Sequence, residues 1–222
     1  PRSVDTGARV CDTCRMPYAP FDLSGKVVLV TGGNAGIGLG IAEAVAQAGA
    51  DVCIWGTSAD KNAAAEAALA AHGTRVLAVA CDVGHEQAVD AAFTATLAGL
   101  GRVDACFANA GIGGSAPFVD MTSDEWHRVL RVNLDGVFFT LRAAARHMVA
   151  RGGGGSLVVT SSLAAIEGQA RGEHYAATKG AVIAMIRALA VEHARHGIRA
   201  NAILPGWIET AMTDALFAWA PM

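Results

Sequence analysis

The amino-acid sequence predicts a doubly wound α/β fold, in which a parallel sheet is covered by helices on both faces. Short apolar runs rich in β-branched residues alternate with longer stretches that have helical spacing. A strand followed by a helix and another strand implies a right-handed crossover, so the runs are expected to lie parallel in one sheet. With 222 residues, the chain has the length of a single domain of this kind.

Six runs predict the strands, because continuous apolar character indicates burial on both faces of a sheet. Each run is short enough for a strand, and the runs recur along the chain from Lys26 onward. They are KVVLVT (26–31), DVCIWG (51–56), RVLAVAC (75–81), RVDACFA (102–108), GSLVVTS (155–161) and GIRANAIL (197–204).

Five intervening stretches predict helices. The glycine run at 152–155 is typical of a helix end followed by a turn. Ligands of a doubly wound sheet bind beyond the carboxyl ends of its strands, so we expect the functional residues there. The predicted helices are 37–49, 59–72, 85–99, 123–151 and 174–196.

Composition argues against several classes of function. The formal net charge is -3 and there is no long run of lysine or arginine, so we expect neither a nucleic-acid partner nor a polybasic membrane patch. No window approaches the roughly 18 uninterrupted apolar residues of a membrane span. The first ten residues lack the apolar core of a secretory signal, and the five cysteines are an odd, uneven set. We therefore expect a cytoplasmic protein.

Residues 1–23 are expected to form a mobile N-terminal extension, and residues 24–222 a single domain. The extension contains CDTC at 11–14. Cys11 and Cys14 have the spacing of half a zinc site or a redox pair, but no second such pair completes four ligands. A tail without function and an intersubunit metal or redox role both remain open.

The loop TGGNAGIG at 31–38 follows the first predicted strand and precedes a predicted helix. Gly32, Gly36 and Gly38 tolerate positive φ and lack a Cβ, so the backbone can approach a pyrophosphate closely. The helix N-terminus would add free N–H groups and the positive end of a dipole. This arrangement predicts a dinucleotide site, although glycine in such a turn can also serve tight packing.

Tyr175 and Lys179 are four residues apart in a predicted helix, so both side chains lie on one face. A free phenol has a pKa of about 10. A cation about 4 Å away contributes about 4 kcal/mol at an effective dielectric constant near 20, enough to lower that pKa by about three units. We therefore expect Lys179 to make Tyr175 a usable proton donor and acceptor.

Asn133 falls inside an apolar stripe of a predicted helix. A buried amide needs hydrogen-bond partners, so Asn133 is either a core residue bonded to nearby backbone or part of a functional site. The seven histidines, in contrast, contain no HxxxH pair, and we expect no metal site. The stripe consists of Leu130, Leu134, Val137, Phe138 and Leu141.

Six motifs together resemble the ordered motif set of the classical short-chain dehydrogenase/reductase family. They are TGGNAGIG, NAG at 109–111, Asn133 in VNL, a serine pair at 161–162, YAATK at 175–179 and PGWIET at 205–210. The resemblance extends over residues 24–214. Within the family, the chain resembles 3-oxoacyl-ACP reductase-like members and sugar or alcohol dehydrogenases. It implies a Rossmann-type domain in which NAD(P) exchanges a hydride with a ketone or secondary alcohol. Nucleotide-sugar epimerases and dehydratases share a YxxxK motif but differ in glycine spacing and in the NAG and PG segments.

The resemblance also implies residue roles. Tyr175 is the general acid and base, and Lys179 tunes it and holds the nicotinamide ribose. Ser162, 13 residues before Tyr175, anchors the carbonyl group, and the backbone of Asn133 holds a relay water. Adjacent strand residues face opposite ways, so Ser161 is expected to bond backbone or pack. The implied cofactor contacts are Thr31, Gly32, Asn34, Gly36, Ile37, Gly38, Thr57, Ser58, Asp82, Val83, Asn109, Ala110, Gly111, Tyr175, Lys179, Pro205, Gly206, Ile208 and Thr210.

The choice between NADP and NAD depends on the end of the second strand. An acidic residue there binds the ribose 2′-hydroxyl and repels a 2′-phosphate. This chain has Gly56, Thr57 and Ser58 instead, followed by Lys61. NADP is therefore favoured over NAD, although no arginine accompanies these residues. Asp82, the implied adenine contact, can also be a helix-capping or turn aspartate.

The implied substrate is a small carbonyl or alcohol compound. We expect Gly113, Glu167, Gln169, Trp207 and the segment 211–219 to line its site, unless Glu167 is solvated. A competing hypothesis is an NAD(P)-binding sensor or scaffold of the same fold without turnover.

The resemblance further implies a homodimer or homotetramer packed through the predicted helices at 123–151 and 174–196. Members of the family continue past the PG segment through another helix and a final strand. Because this chain ends at FAWAPM, we expect it to lack both elements.

Overall fold

The computed structural model describes residues 21–210 and residue 213. Most of the predicted extension, with Cys11 and Cys14, lies outside the described residues. The same holds for the predicted substrate-side segment 211–219, apart from Thr213.

Six strands form one sheet: β1 (Val27–Thr31), β2 (Asp51–Gly56), β3 (Val76–Ala80), β4 (Ala105–Ala108), β5 (Gly155–Thr160) and β6 (Ile198–Ile203). All neighbouring strands are parallel and their order is β3-β2-β1-β4-β5-β6. The predicted doubly wound fold is confirmed. Strand order reverses at β1, so the crevice beyond the carboxyl ends of β1 and β4 is the expected ligand site.

The α-helices of the described chain are α1 (Gly36–Gln47), α2 (Ala59–Ala70), α3 (Glu86–Leu100), α4 (Ser123–Leu130), α5 (Gly136–Arg151) and α6 (Glu173–His193). Alternate residues of each strand build two cores, because successive side chains point to opposite faces. Val28 and Val30 pack with α1 and α2, whereas Val27 and Leu29 pack with α3, α5 and α6. None of these helices is long and apolar enough to cross a membrane.

The stretch 123–151, predicted as one helix, is divided by a π-helical turn over Arg131–Asp135. A Cβ at Gly136 would lie 2.7 Å from a methyl group of Val83, so the helix passes very close to the segment that follows β3. Single π turns occur mostly inside α-helices and often at functional sites. This turn carries Asn133, which is fully buried.

Candidate active site

The predicted glycine loop lies at the carboxyl end of β1, and its shape requires glycine. Gly32 and Gly36 have φ values of 64° and 53°, in the left-handed region that residues with a Cβ rarely adopt. A Cβ at Gly38 would lie 2.1 Å from the carbonyl oxygen of Gly32. The absence of these Cβ atoms lets α1 begin directly against the loop.

The N-terminus of α1 is open to a cleft of about 390 Å³. Ala35, its N-cap residue, makes no side-chain hydrogen bond, and the first turn contains no acidic residue. Among the described residues that line the cleft, Lys61 and Lys179 carry charge and none is acidic. Free N–H groups and a positive dipole end fit the pyrophosphate of a dinucleotide, and the two lysines make the cleft as a whole electropositive.

Hydrogen bonds join the ends of β1, β4 and β5 behind the cleft. The hydroxyl oxygen of Thr31 accepts the N–H groups of Asn109 and Ala110, both at 3.0 Å. Nδ2 of Asn109 donates to the carbonyl oxygen of Thr31 at 3.0 Å, and Thr160 donates to Oδ1 of Asn109 at 3.1 Å. Asn109 therefore braces three strand ends, and Thr31 supports the cleft from behind.

The end of β2 has no room for an acidic side chain. A Cβ at Gly56 would lie 2.2 Å from Nδ2 of Asn34 and 2.5 Å from Oδ1 of Asn62. These two amides bond each other at 2.7 Å, and Asn62 also donates to the carbonyl oxygen of Gly56 at 3.0 Å. Neutral amides thus occupy the space that an acidic residue would need.

The hydroxyl residues after β2 do not line the cleft. Thr57 is exposed, and Ser58 caps α2 by accepting the N–H of Lys61 at 3.4 Å. Lys61 itself does line the cleft. The cation at this end of the cleft therefore comes from the first turn of α2.

Asp82 follows β3 and is held by turn contacts. Its carboxylate accepts the N–H of Gly84 at 2.9 Å and lies 3.2 Å from Nδ1 of His85 and 3.4 Å from the guanidinium of Arg131. Asp82 is thus a turn aspartate, one of the two alternatives that the sequence left open. Its contact with an adenine stays a prediction.

The two adjacent serines have different surroundings. Ser161 is buried and donates to the carbonyl oxygen of Lys179 at 2.8 Å, as expected for the serine that bonds backbone. Ser162 lines the cleft, accepts the N–H of Ala164 at 3.2 Å and forms a hydrogen bond with Tyr175. Ser162 and Tyr175 therefore place their hydroxyls together in the cleft.

Tyr175 and Lys179 both line the cleft, but their electrostatics differ from the expectation. Nζ of Lys179 lies 5.4 Å from the ring centroid of Tyr175 and donates to the carbonyl oxygen of Thr160 at 2.8 Å. Burial raises the pKa of Tyr175, and the hydrogen bond with Ser162 offsets this only in part. Burial lowers the pKa of Lys179 to about 8. The predicted lowering of the Tyr175 pKa is therefore wrong for this arrangement, because desolvation dominates both groups.

Asn133 stands directly behind the cleft. Its Oδ1 accepts the N–H of Ile112 at 2.8 Å, and its Nδ2 donates to the carbonyl oxygen of Ile112 at 2.9 Å. A Cβ at Gly111 would lie 3.3 Å from Oδ1 of Asn133 and 3.5 Å from Nζ of Lys179. The side chain is thus a core amide bonded to backbone, and a relay through the Asn133 backbone stays a prediction.

A second cavity, of about 500 Å³, adjoins the cleft. Ser162 and Tyr175 line both spaces, so the cleft and the cavity meet at this pair of hydroxyls. Pro205 and Gly206 of the PG segment border both spaces as well. The lining of the second cavity includes the predicted residues Gly113, Glu167, Gln169 and Trp207, together with Ser115 and Arg171.

The rest of the PG segment lies against the glycine loop. A Cβ at Gly36 would lie 3.3 Å from the methyl group of Thr210, and both Ile208 and Thr210 line the cleft. The N–H of Thr210 donates to the hydroxyl oxygen of Thr213 at 3.0 Å. This end of the segment is therefore closed by a local turn at the rim of the cleft.

Most of the predicted cofactor residues line the cleft, and five do not: Thr31, Thr57, Ser58, Asp82 and Val83. The sequence did not single out Thr160, which lines it as well, and it placed Thr213 in the predicted substrate-side segment 211–219, whereas Thr213 lines both the cleft and the second cavity. The position of Thr160 near the carboxyl end of a predicted strand was the signal that could have identified it. No group of three or more His, Cys, Asp or Glu side chains within residues 21–210 is arranged to hold a metal ion.

Comparisons with known proteins agree with this geometry. A family model described as short chain dehydrogenase matches residues 26–221. The L-rhamnose 1-dehydrogenase (NAD(P)(+)) of Sphingomonas sp. is 41% identical over 189 residues, which are 85% of this chain and 74% of that protein. A short-chain type dehydrogenase/reductase from Mycobacterium marinum has a TM-score of 0.87 at 36% identity, covering 90% of this chain and 79% of that one. A gluconate 5-dehydrogenase from Burkholderia cenocepacia, solved in complex with NADP and tartrate, has a TM-score of 0.85 at 38% identity, covering 90% and 78%.

The family match includes all the residues that build the cleft, from the glycine loop to Thr213. Similarity to these two solved structures extends over nine tenths of the chain. The chain therefore belongs to the short chain dehydrogenase family and is an NAD(P)-dependent oxidoreductase acting on CH–OH groups.

Proposed function

We propose that this enzyme interconverts a hydroxylated ketone and its secondary alcohol with NADP(H), with Tyr175 as acid and base. The observation that carries the proposal is the junction where Ser162 and Tyr175 line both the cleft and the second cavity. The nicotinamide, when bound, supplies or accepts the hydride. The protein contributes position, hydrogen bonds and the proton.

In carbonyl reduction, Tyr175 donates its hydroxyl proton to the substrate oxygen as the new C–H bond forms. The phenol is protonated near neutral pH, so the proton to be donated is present, while the raised pKa makes Tyr175 a weaker acid than a free phenol. Ser162, hydrogen-bonded to Tyr175, orients the same oxygen. The Lys179 ammonium stabilises the phenolate that results, and a water on the Asn133 backbone returns the proton to this centre.

We propose NADP rather than NAD because the phosphate-binding end of the cleft carries Lys61 and excludes an acidic side chain at Gly56. Lys61→Ala should raise KM for NADPH about tenfold, the size expected for one hydrogen bond to a charged group, and leave KM for NADH unchanged. The control is Lys26→Ala. Lys26 is exposed, lies directly before β1 and does not line the cleft. An equal increase in KM for NADPH and for NADH in Lys61→Ala would contradict the proposal.

The second cavity supports a polar substrate. Ser115, Glu167, Gln169 and Arg171 contribute polar or charged groups to it. Two relatives act, by name, on rhamnose and on gluconate. We therefore infer a keto sugar or keto acid of similar polarity as the substrate class.

One assay tests the reaction. The protein is mixed with NADPH or NADH and a panel of keto sugars, keto acids, simple ketones and 3-oxoacyl thioesters, and loss of the reduced cofactor is followed by absorbance. Turnover of hydroxylated ketones supports the proposal. Cofactor binding without turnover of any compound, with Tyr175→Phe identical to wild type, would favour the sensor or scaffold instead.

We further propose that residues 24–222 act as one catalytic domain in the cytoplasm and that the enzyme is a homodimer or homotetramer. An apolar groove of about 630 Å³ runs between α5 and α6 and supports contact between copies. Phe138, Val149 and Ala188 line it and are exposed in the single chain. Burying apolar surface of this kind favours association.

A further inference from the structure

We propose that His174, Glu125 and Arg128 form a hydrogen-bonded chain that positions one wall of the second cavity and so sets how tightly the carbonyl substrate is held. The wall is the loop at 113–115, which lines that cavity together with Ser162 and Tyr175. The kinetic part of this inference rests on the proposed function. The structural part, the order of the loop, does not.

His174 begins the chain. It is fully buried in the first turn of α6, directly before Tyr175, and its Nε2 lies 3.3 Å from Oε1 of Glu125 on α4. A carboxylate only accepts hydrogen bonds, so Nε2 carries the hydrogen. Nδ1 has no hydrogen-bond partner in the described part of the chain. The contact with Glu125 is thus the polar contact that orients this imidazole.

Glu125 passes the contact on to Arg128. Its two carboxylate oxygens accept from Nε and Nη2 of Arg128 at 2.7 and 2.8 Å, a two-point ion pair. Arg128, with a smaller contribution from His174, lowers the pKa of Glu125 to about 2, so the carboxylate is ionised near neutral pH. Nη2 of Arg128 also donates to the carbonyl oxygen of Gly113 at 3.0 Å.

The loop itself packs against the first two members of the chain. A Cβ at Gly114 would lie 2.3 Å from Nε2 of His174 and 2.5 Å from Oε1 of Glu125. On its other side, Ile112 is held through both its N–H and its carbonyl by Asn133. Three successive residues are therefore fixed between the cofactor cleft and the second cavity.

This arrangement separates two effects of a substitution. Asn133 secures the cleft side of the loop, so loss of His174 should loosen the cavity wall and leave the cleft intact. His174 touches neither space directly and is absent from both linings. It is a positioning residue, whose expected signature is a change in KM for the carbonyl compound without a change in cofactor affinity.

The first test is His174→Leu, which keeps an apolar side chain in the core but removes the donor. We expect kcat/KM for the carbonyl substrate to fall about tenfold, mainly through KM, as for loss of one hydrogen bond to a charged group. The Kd for NADPH, measured by fluorescence titration, should stay unchanged. His174→Gln should recover part of the loss, because its amide can donate to Glu125.

Glu125→Gln and Arg128→Ala should change KM in the same direction. Arg128 is exposed and Glu125 is half-buried, so these variants leave the apolar core in place and remain informative if His174→Leu fails to fold. The matched control is His147→Leu. His147 is a partly buried histidine whose ring accepts the N–H of Val103 at 3.2 Å, and it does not line the second cavity. The His147→Leu variant should have a lower free energy of unfolding but an unchanged KM for the carbonyl substrate.

Hydrogen exchange tests whether the chain orders the loop at 113–115, and this measurement does not require catalytic turnover. The amides of Ile112 and Ala116 are hydrogen-bonded, to Asn133 and Arg171. The amide of Ala116 should exchange faster in His174→Leu and Arg128→Ala than in wild type, while the amide of Ile112, which Asn133 holds, and those of the glycine loop stay unchanged. A wild-type protein without turnover would contradict the proposed function alone. Unchanged exchange at Ala116, or an equal KM increase in His147→Leu, would overturn the present inference.

Discussion

At the scale of single residues, desolvation governs the two ionisable groups of the cleft. Lys179 is 4% exposed and Tyr175 is half-buried, and burial disfavours the charged form of each. The phenol is thereby kept protonated and the ammonium is destabilised. Their proximity, with Nζ at 5.4 Å from the ring centroid, does not reverse either shift.

Tyr175→Phe should remove the proton donor and little else. We expect kcat for carbonyl reduction to fall by about 10²–10⁴-fold, the usual contribution of general acid catalysis. The Kd for NADPH, obtained by fluorescence titration, should stay within about twofold of wild type, since the ring is retained. Residual turnover near the wild-type rate would show that another group donates the proton.

The pH dependence of stability should report Lys179 directly. Its pKa is about 8 in the folded protein and 10.5 in an exposed lysine, so the unfolded chain binds more protons between these values. The unfavourable burial of the cation is fully present below pH 8 and is relieved as the pH rises toward 10.5. Stability of the cofactor-free protein should therefore gain up to about 1.4 kcal/mol per pH unit from this residue.

Urea unfolding at pH 7.5, 8.5 and 9.5 measures that slope. Lys179→Met removes the titrating group, so the difference between wild type and variant should shift in favour of wild type as the pH rises. A constant difference across the three pH values would mean that the Lys179 pKa is not lowered.

At the scale of elements, the contact between the glycine loop and α1 decides which helical glycine can be replaced by alanine. Gly38 leaves no room for a methyl group, whereas Gly40 does. Gly38 abuts the carbonyl oxygen of Gly32, whereas nothing lies within 4 Å of a Cβ built on Gly40 two residues later. Both glycines are in the first turns of the same helix. Only Gly38 must lack a Cβ for the glycine loop to keep its shape at the cleft.

Gly38→Ala should push α1 away from the loop and weaken NADPH binding by at least about tenfold, because the clash is with backbone that cannot move aside. Gly40→Ala is the matched control and should stabilise the exposed helix by about 0.5–1 kcal/mol without changing Kd. Calorimetric titration and urea unfolding of both variants measure these outcomes. An alanine at 38 that binds NADPH normally would contradict the assigned role of the loop.

At the scale of the whole molecule, the groove between α5 and α6 is expected to be covered by another copy of the chain. Ala188→Glu places a charge in the groove and should shift the particle mass, measured by light scattering, toward a smaller assembly. Val191→Glu is the control, because Val191 is exposed on the same helix but does not line the groove. Equal mass for wild type and both variants would place the interface elsewhere.

Much of the fold was predictable because strands buried on both faces have a continuous apolar signature. All six predicted runs contain a strand. β4 begins only at Ala105, and the side chain of the preceding Asp104 accepts the N–H of Val27 at 3.0 Å. The π turn around Asn133 was not predictable. Directly after it, Gly136 closely approaches Val83, a contact between distant parts of the chain.

The sequence by itself determined the doubly wound sheet, the glycine loop and the grouping of serine, tyrosine and lysine, because each depends on local periodicity or on fixed spacing along the chain. Tertiary structure alone decided that Lys179 donates to Thr160 while the Tyr175 pKa rises, since burial depends on what packs around a side chain. It also decided that His174 reaches Glu125, 49 residues away. Such contacts are made by the packing of helices against one another, and no pattern within either segment encodes the distance between them.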